Sequence, residues 1–132
     1  MKRYCIIIIG ILIIACGGNE KEMPILHLYN NTDSVNGMAM TNFSLYGSMS
    51  EYWSEVSPVH SKNLRGVSPG ARPLVFDNMS VGIFYLVVTG THLVSSSTSL
   101  TVFCEDIEFK TDKLTEVRVG PGNSECTISG PM

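Results

Sequence analysis

The chain has 132 residues and carries nine lysines and arginines against twelve aspartates and glutamates, with four cysteines and one tryptophan. This length is that of a single domain with a modest core. An acidic chain whose few basic residues are scattered is a poor candidate for binding nucleic acid, because phosphate recognition needs clustered positive charge.

The N-terminus has the layout of a secretory signal. Lys2 and Arg3 give it positive charge, and an uncharged apolar run follows from Cys5 to Ile14. The run has about half of the ~20 apolar residues that a membrane-spanning helix needs. The polar, glycine-containing stretch after it is typical of a flexible tether. We therefore expect a signal peptide rather than a permanent membrane span.

The residues from Ile13 to Cys16, Ile-Ile-Ala-Cys, resemble the lipobox of bacterial lipoproteins. In that family the cysteine is acylated and the chain is cut just before it. The resemblance implies a signal peptide over residues 1–15, lipidation of Cys16, a tether over residues 16–24, and the membrane as a partner through the anchor. Because Gly17 rather than Asp follows the cysteine, it also implies the outer membrane of the bacterial cell envelope, on the periplasmic face or the cell surface. The alternative is an ordinary signal peptide, or an uncleaved anchor, with an incidental cysteine.

Four cysteines then reduce to two. Removal of residues 1–15 leaves 117 residues with a charge of −5, and Cys5 leaves with the signal. The lipid occupies Cys16, so Cys104 and Cys126 remain in an oxidising compartment. Two such cysteines are usually paired, and we expect a disulfide between them; a free pair is the alternative.

The expected disulfide constrains the end of the chain. A plain meander of strands over residues 104–128 would separate Cys104 from Cys126 by two strand spacings, ~9.6 Å, which is beyond disulfide reach. If the disulfide forms, the last segment must leave such a meander. We expect the chain to depart from it at Pro121.

From residue 25 onward, short apolar alternations of period two are separated by Gly, Pro, Asn and Asp, which is typical of an antiparallel all-β domain. The run from Ile83 to Thr89 is apolar on both faces and indicates a central strand. The alternation changes parity at Thr41–Asn42 and again at Glu105–Asp106, so we expect a β-bulge at each place. We expect further strands at residues 25–29, 38–46, 64–67, 74–76, 98–109, 114–119 and 124–128.

This number of strands favours a small antiparallel β-sandwich over residues 25–132. The segment from Pro69 to Val88 resembles the turn-and-strand core of immunoglobulin-like or transthyretin-like modules of bacterial envelope proteins, with Val81 in place of the usual proline and Phe84 in place of the usual tyrosine. The resemblance implies one of these two sandwich types and no particular activity. The alternation predicts a core that includes Leu28, Phe43, Leu45, Phe84, Leu86, Val88, Val102 and Val117.

No residue pattern indicates catalysis, a metal site or a cofactor. His27, His60 and His92 stand far in sequence from other candidate ligands, and neither a nucleophile motif nor a phosphate-binding loop occurs. The acidic cluster from Glu105 to Glu108 fits a calcium ion, but a bulge on a solvated face explains it equally well.

Together these features predict a lipid-anchored, non-catalytic envelope module that presents a β-sandwich surface to a protein or a glycan. A small inhibitor or immunity-like lipoprotein acting on an envelope enzyme is the alternative. Because exposed aromatic residues carry much of the energy in interfaces, we place the candidate binding surface at Tyr46, Tyr52 and Trp53, with the irregular segment 47–72. In the competing interpretation, Trp53 is buried over one end of the core.

The lipidation prediction is tested by Cys16→Ser. We expect this change to abolish incorporation of labelled acyl chains and to block maturation of the precursor, because the thiol is the acceptor of the lipid. Metabolic labelling with a fatty acid analogue and fractionation of membranes measure both effects. Normal maturation and membrane retention of Cys16→Ser would contradict the lipoprotein assignment.

Overall fold

The computed structural model describes residues 22–132 in full and the backbone of residues 5–7 and 14–16. The two N-terminal segments form short strands, β1 (Cys5–Ile7) and β2 (Ile14–Cys16), which pair antiparallel. Most of the predicted signal peptide, the side chain of Cys16 and the tether up to residue 21 lie outside the described residues, so these assignments stay predictions. Within the described residues, no helix is long and apolar enough to cross a membrane.

The remaining strands form a β-sandwich, which confirms the predicted all-β fold. They are β3 (Ile25–Asn30), β4 (Met38–Tyr46), β5 (His60–Val67), β6 (Leu74–Phe76), β7 (Gly82–His92), β8 (Ser99–Phe109), β9 (Leu114–Val119) and β10 (Cys126–Ser129). A short helix, α1 (Met49–Ser54), follows β4. One sheet has the strand order β10-β9-β3-β6, and the other has the order β5-β4-β7-β8.

The strand order differs from that of an immunoglobulin domain. The first strand of the domain, β3, lies between β6 and β9, and it runs parallel to β9. The second strand, β4, lies in the other sheet between β5 and β7. In an immunoglobulin constant domain the first and second strands share a sheet. The topology therefore departs from the arrangement of an immunoglobulin constant domain.

The facing surfaces of the two sheets form the core, and all eight predicted core residues are buried there. Period-two alternation produced this prediction because successive side chains of a strand point to opposite faces. The predicted central position of β7 is also confirmed, since β7 lies between β4 and β8. On its inner face Leu86 and Val88 are fully buried, and on its outer face Val87 is covered as well.

Both predicted bulges are present. The register of β4 shifts between Met40 and Asn42 against both neighbouring strands. The register of β7 against β8 shifts around Tyr85, so that Glu105 and Asp106 both lie opposite this one residue. Asp106 adopts a left-handed conformation with φ of 57°. The second bulge keeps the residues on either side of it in the core and leaves Glu105 and Asp106 exposed.

The disulfide between Cys104 and Cys126 is confirmed, with 5.8 Å between the Cα atoms. The route of the chain differs from the one predicted, because the chain changes sheets at residues 110–113 rather than at Pro121. Strand β10 then pairs with β9 as an ordinary antiparallel neighbour. The bridge consequently joins the edge of one sheet to the edge of the other.

The double burial of β7 predicts a large difference between two of its residues. Leu86→Ala should lower the free energy of unfolding by roughly 2–5 kcal/mol, because it leaves a cavity in the core. Ile83→Ala is the matched control, since Ile83 is 53% exposed on the same strand and its truncation should cost less than about 1 kcal/mol. Urea unfolding followed by far-ultraviolet circular dichroism measures both. Equal losses in the two variants would contradict the core assignment.

Candidate functional site

Helix α1 lies on the outer face of the β5-β4-β7-β8 sheet, where it contacts β4 and β7. Ser48 caps its N-terminus, with the Ser48 hydroxyl accepting a hydrogen bond from the Glu51 backbone N–H at 3.3 Å. Glu55 ends the helix in a left-handed conformation. The helix is too short for its periodicity to stand out in the sequence, which is why sequence analysis missed it.

Tyr52 is the residue of α1 that packs on the sheet. Its side chain is fully buried, and its ring lies 5.5 Å from the rings of Tyr85 and Phe103 and 6.4 Å from the ring of Tyr46, centroid to centroid. Tyr46 and Tyr85 are direct cross-strand partners on β4 and β7. The tyrosine of the helix thus occupies the space above the strand pair, and it contributes much of the apolar contact between α1 and the sheet.

The structure corrects the predicted binding surface. Tyr46 and Tyr52 are 3% and 0% exposed, because α1 covers the outer face of the sheet at this point, so neither is available to a partner. Trp53 is 63% exposed, and the interpretation that buries it over the core does not hold. Tyr52 instead supports Trp53 from below, with the two ring centroids 5.0 Å apart, and Tyr46 contacts Tyr52.

Sequence analysis missed the second exposed ring, Phe103. This residue is 42% exposed, and its ring centroid lies 6.1 Å from that of Trp53, with 30° between the ring planes. A signal was present, since inward-facing Val102 and Cys104 require the residue between them to face outward. The proximity of Trp53, which comes from a distant part of the chain, was not visible in that pattern. We call Trp53 and Phe103, with Tyr52 beneath them, the aromatic patch.

Acidic residues occur on both segments that carry the aromatic patch. Glu105 follows Phe103 on the outer face of β8 and lies beside the Tyr52 hydroxyl, and Glu51 and Glu55 belong to α1 and its C-terminal cap. The Tyr52 hydroxyl is buried and has no hydrogen-bond partner of acceptable geometry. Burial raises the pKa of Tyr52, and the negative charge of Glu105 raises it further. The patch therefore combines exposed ring faces with a negative electrostatic environment.

The outer face of the opposite sheet carries a polar network. The Tyr29 hydroxyl donates to a Glu116 carboxylate oxygen at 2.6 Å, and Arg118 donates to the other oxygen at 3.3 Å while its guanidinium lies over the Tyr29 ring. The hydrogen bond from Tyr29 is the main cause of the lowered pKa of Glu116. These groups satisfy one another, so the network is adequately explained as cross-strand stabilisation of the sheet.

The cleft at one edge of the sandwich and the distribution of potential metal ligands give no indication of a functional site. A shallow cleft of about 390 Å³ lies between the edges of β5 and β6, with Lys62 and Arg65 on its rim. Positive charge and a left-handed residue such as Arg65 are ordinary means of protecting an edge strand from pairing. Among residues 22–132, no group of three or more potential metal ligands is close enough to hold an ion.

A functional assignment for this chain rests on the fold and the aromatic patch. No family model matches the chain, and neither a curated protein nor a solved structure shows significant similarity to it.

The environment of Tyr52 predicts a specific dependence on alkaline pH. Tyr52 ionises near pH 10 in the unfolded chain but stays protonated to higher pH in the folded protein. Its contribution to the free energy of unfolding is therefore fully present below about pH 10 and is lost as the pH rises further. Tyr52→Phe should therefore lose less stability than the wild type between about pH 9 and pH 11. Urea unfolding at a series of pH values measures the two slopes, and identical slopes would contradict the assigned environment.

Proposed function

We propose that this protein is a lipid-anchored, non-catalytic module of the bacterial cell envelope that binds a protein or a glycan through the aromatic patch. The outer membrane is the favoured location, on its periplasmic face or at the cell surface. The observation that carries the proposal is the pair of exposed rings, Trp53 and Phe103, held on a floor of buried tyrosine. Aromatic residues that are both exposed and rigidly supported are characteristic of binding hot spots.

The rigidity of the patch supports binding. Trp53 and Phe103 lie on different elements, but Tyr52 contacts both rings and is itself fixed between β4 and β7. Side chains that are already ordered lose little conformational entropy when a partner binds. The disulfide between β8 and β10 adds a covalent link from the strand that carries Phe103 to the second sheet.

The position of the patch also suits an anchored protein. The chain enters the domain beside the 110–113 turn, where Glu22 and Asp112 exchange hydrogen bonds. Helix α1 lies at this same end of the sandwich, since it follows the end of β4 that pairs with the beginning of β7. Because Glu22 is already hydrogen-bonded to the domain and Pro24 is buried, the tether is limited to residues 17–21, which would span at most ~17 Å. The patch would then face partners close to the membrane, at a high effective concentration.

Trp53→Ala tests this function in the full-length chain. We expect capture of envelope partners, measured by cross-linking and affinity purification from membranes, to fall about tenfold or more, because a buried hot-spot aromatic would be lost from the complex. Thermal unfolding should change little, since Trp53 is largely exposed in the free protein. Val75→Ala is the matched control: Val75 is 59% exposed and belongs to β6 of the other sheet.

Two results would overturn the proposal. One is equal capture by Trp53→Ala and Val75→Ala, which would remove the patch as the binding surface. The other is turnover of an envelope substrate by the purified chain that disappears on changing one polar residue, which would make the protein an enzyme.

A further inference from the structure

We propose that the aromatic patch takes a cationic side chain, a lysine or an arginine from a basic segment of a partner protein. This inference rests on the proposed function, because it names the class of partner for the same surface. It follows from three properties of the patch: the arrangement of its rings, the sign of the charges around it and the unpartnered hydroxyl beneath it.

The first property is the arrangement of the ring faces. The rings of Trp53 and Phe103 are inclined by 30°, with 6.1 Å between their centroids, and the two residues are 63% and 42% exposed. A cation is attracted to the face of an aromatic ring when it lies within about 6 Å of the centroid, and tryptophan gives the strongest attraction. One ammonium or guanidinium group can therefore lie within about 6 Å of both centroids.

The second property is the sign of the local charge. The two segments that contain the patch and its floor, residues 46–61 and 82–109, hold no lysine or arginine. Their acidic residues are Glu51, Glu55, Glu105, Asp106 and Glu108. In the described structure, an ion pair neutralises part of this charge at Glu108, where Lys110 lies 3.8 Å away. The Glu105 carboxylate beside the patch takes part in neither ion pair of the described structure, so a bound cation would neutralise its charge.

The third property is the buried hydroxyl of Tyr52. It lies beside the Glu105 carboxylate, but the two groups do not form a hydrogen bond of acceptable geometry. Buried polar groups are rarely left unsatisfied, and those that are often mark a functional site. A small rotation of Glu105 would let its carboxylate accept from Tyr52 while it pairs with a cation on the rings. The hydroxyl would then orient the carboxylate at the edge of the patch.

These properties favour a basic protein segment over the other occupants of an envelope. Acidic glycans and anionic lipid headgroups are repelled by the carboxylates. A neutral glycan can donate hydroxyl hydrogen bonds to a carboxylate, but only a cation is also attracted by the negative charge. Arginine fits the patch best, because its planar guanidinium stacks on aromatic rings and hydrogen-bonds to a carboxylate at the same time.

The single tryptophan of the chain makes the proposal directly measurable, because all tryptophan emission comes from Trp53. The full-length protein is titrated with an arginine-rich peptide, with the same peptide in which citrulline replaces arginine, and with a neutral oligosaccharide. We expect saturable change of the emission with the arginine peptide only. The affinity should fall as salt is raised, because ionic attraction is screened.

Matched variants assign the effect to the patch. Glu105→Gln should weaken binding of the arginine peptide about fivefold and reduce its salt dependence, and Phe103→Ser should weaken it about tenfold. Asp77→Asn removes an exposed carboxylate that directly follows β6, in the other sheet, and should leave the affinity unchanged. Calorimetry extends the comparison to Trp53→Ala, in which binding should be lost. Circular dichroism checks that each variant is folded.

The outcomes separate this inference from the function on which it rests. Equal binding of the arginine and citrulline peptides, or binding of the neutral oligosaccharide instead, would overturn the cationic assignment while leaving the patch as a binding surface. Unchanged arginine affinity in Glu105→Gln would overturn it as well. If no probe binds and Trp53→Ala still captures envelope partners normally, both the inference and the proposed function fail.

Discussion

The middle of β7 is buried on both faces at Leu86, Val87 and Val88, and this local double burial connects the core of the sandwich to the aromatic patch. Leu86 and Val88 fill the space between the sheets, while Val87 lies under the tyrosine cluster on the other side. An antiparallel sheet more often exposes one face to water. Here α1 covers part of that face through Tyr52, and the helix in turn displays Trp53. The exposed surface is thus built on the strand that also organises the core.

The bulge in β8 serves both sides of this arrangement. A regular strand would alternate strictly, so that Cys104 and Ile107 could not both face the core. The extra residue at Glu105–Asp106 allows it, and both flanking residues are buried. The same irregularity leaves the Glu105 carboxylate exposed next to Phe103 and Tyr52. Bulges commonly redirect side chains near functional sites, and this one places negative charge beside the aromatic rings.

The two long sides of the sandwich are closed in different ways. On one side the disulfide links the edge strands β8 and β10. On the other side a cleft separates the edges of β5 and β6, across which the Lys62 ammonium lies 5.5 Å from the centroid of the Phe76 ring. A crosslink restricts the unfolded chain. The side of the sandwich that bears Phe103 is therefore the covalently crosslinked one.

The sequence alone determined the all-β class, the inward-facing residues and the positions of both bulges. These features depend on the alternation of neighbouring side chains, which is a local property of the strand. Only the tertiary structure decided which strands pair, where the chain changes sheets, and how the aromatic residues are distributed between surface and interior. Tyr46 and Tyr52 could not be recognised as buried, because the helix that covers them is short and its packing partner, β7, lies far along the chain. For the same reason Phe103 had a predictable outward direction but no predictable neighbour. Contacts between distant segments are set by the packing of the whole sandwich, and no local pattern records them.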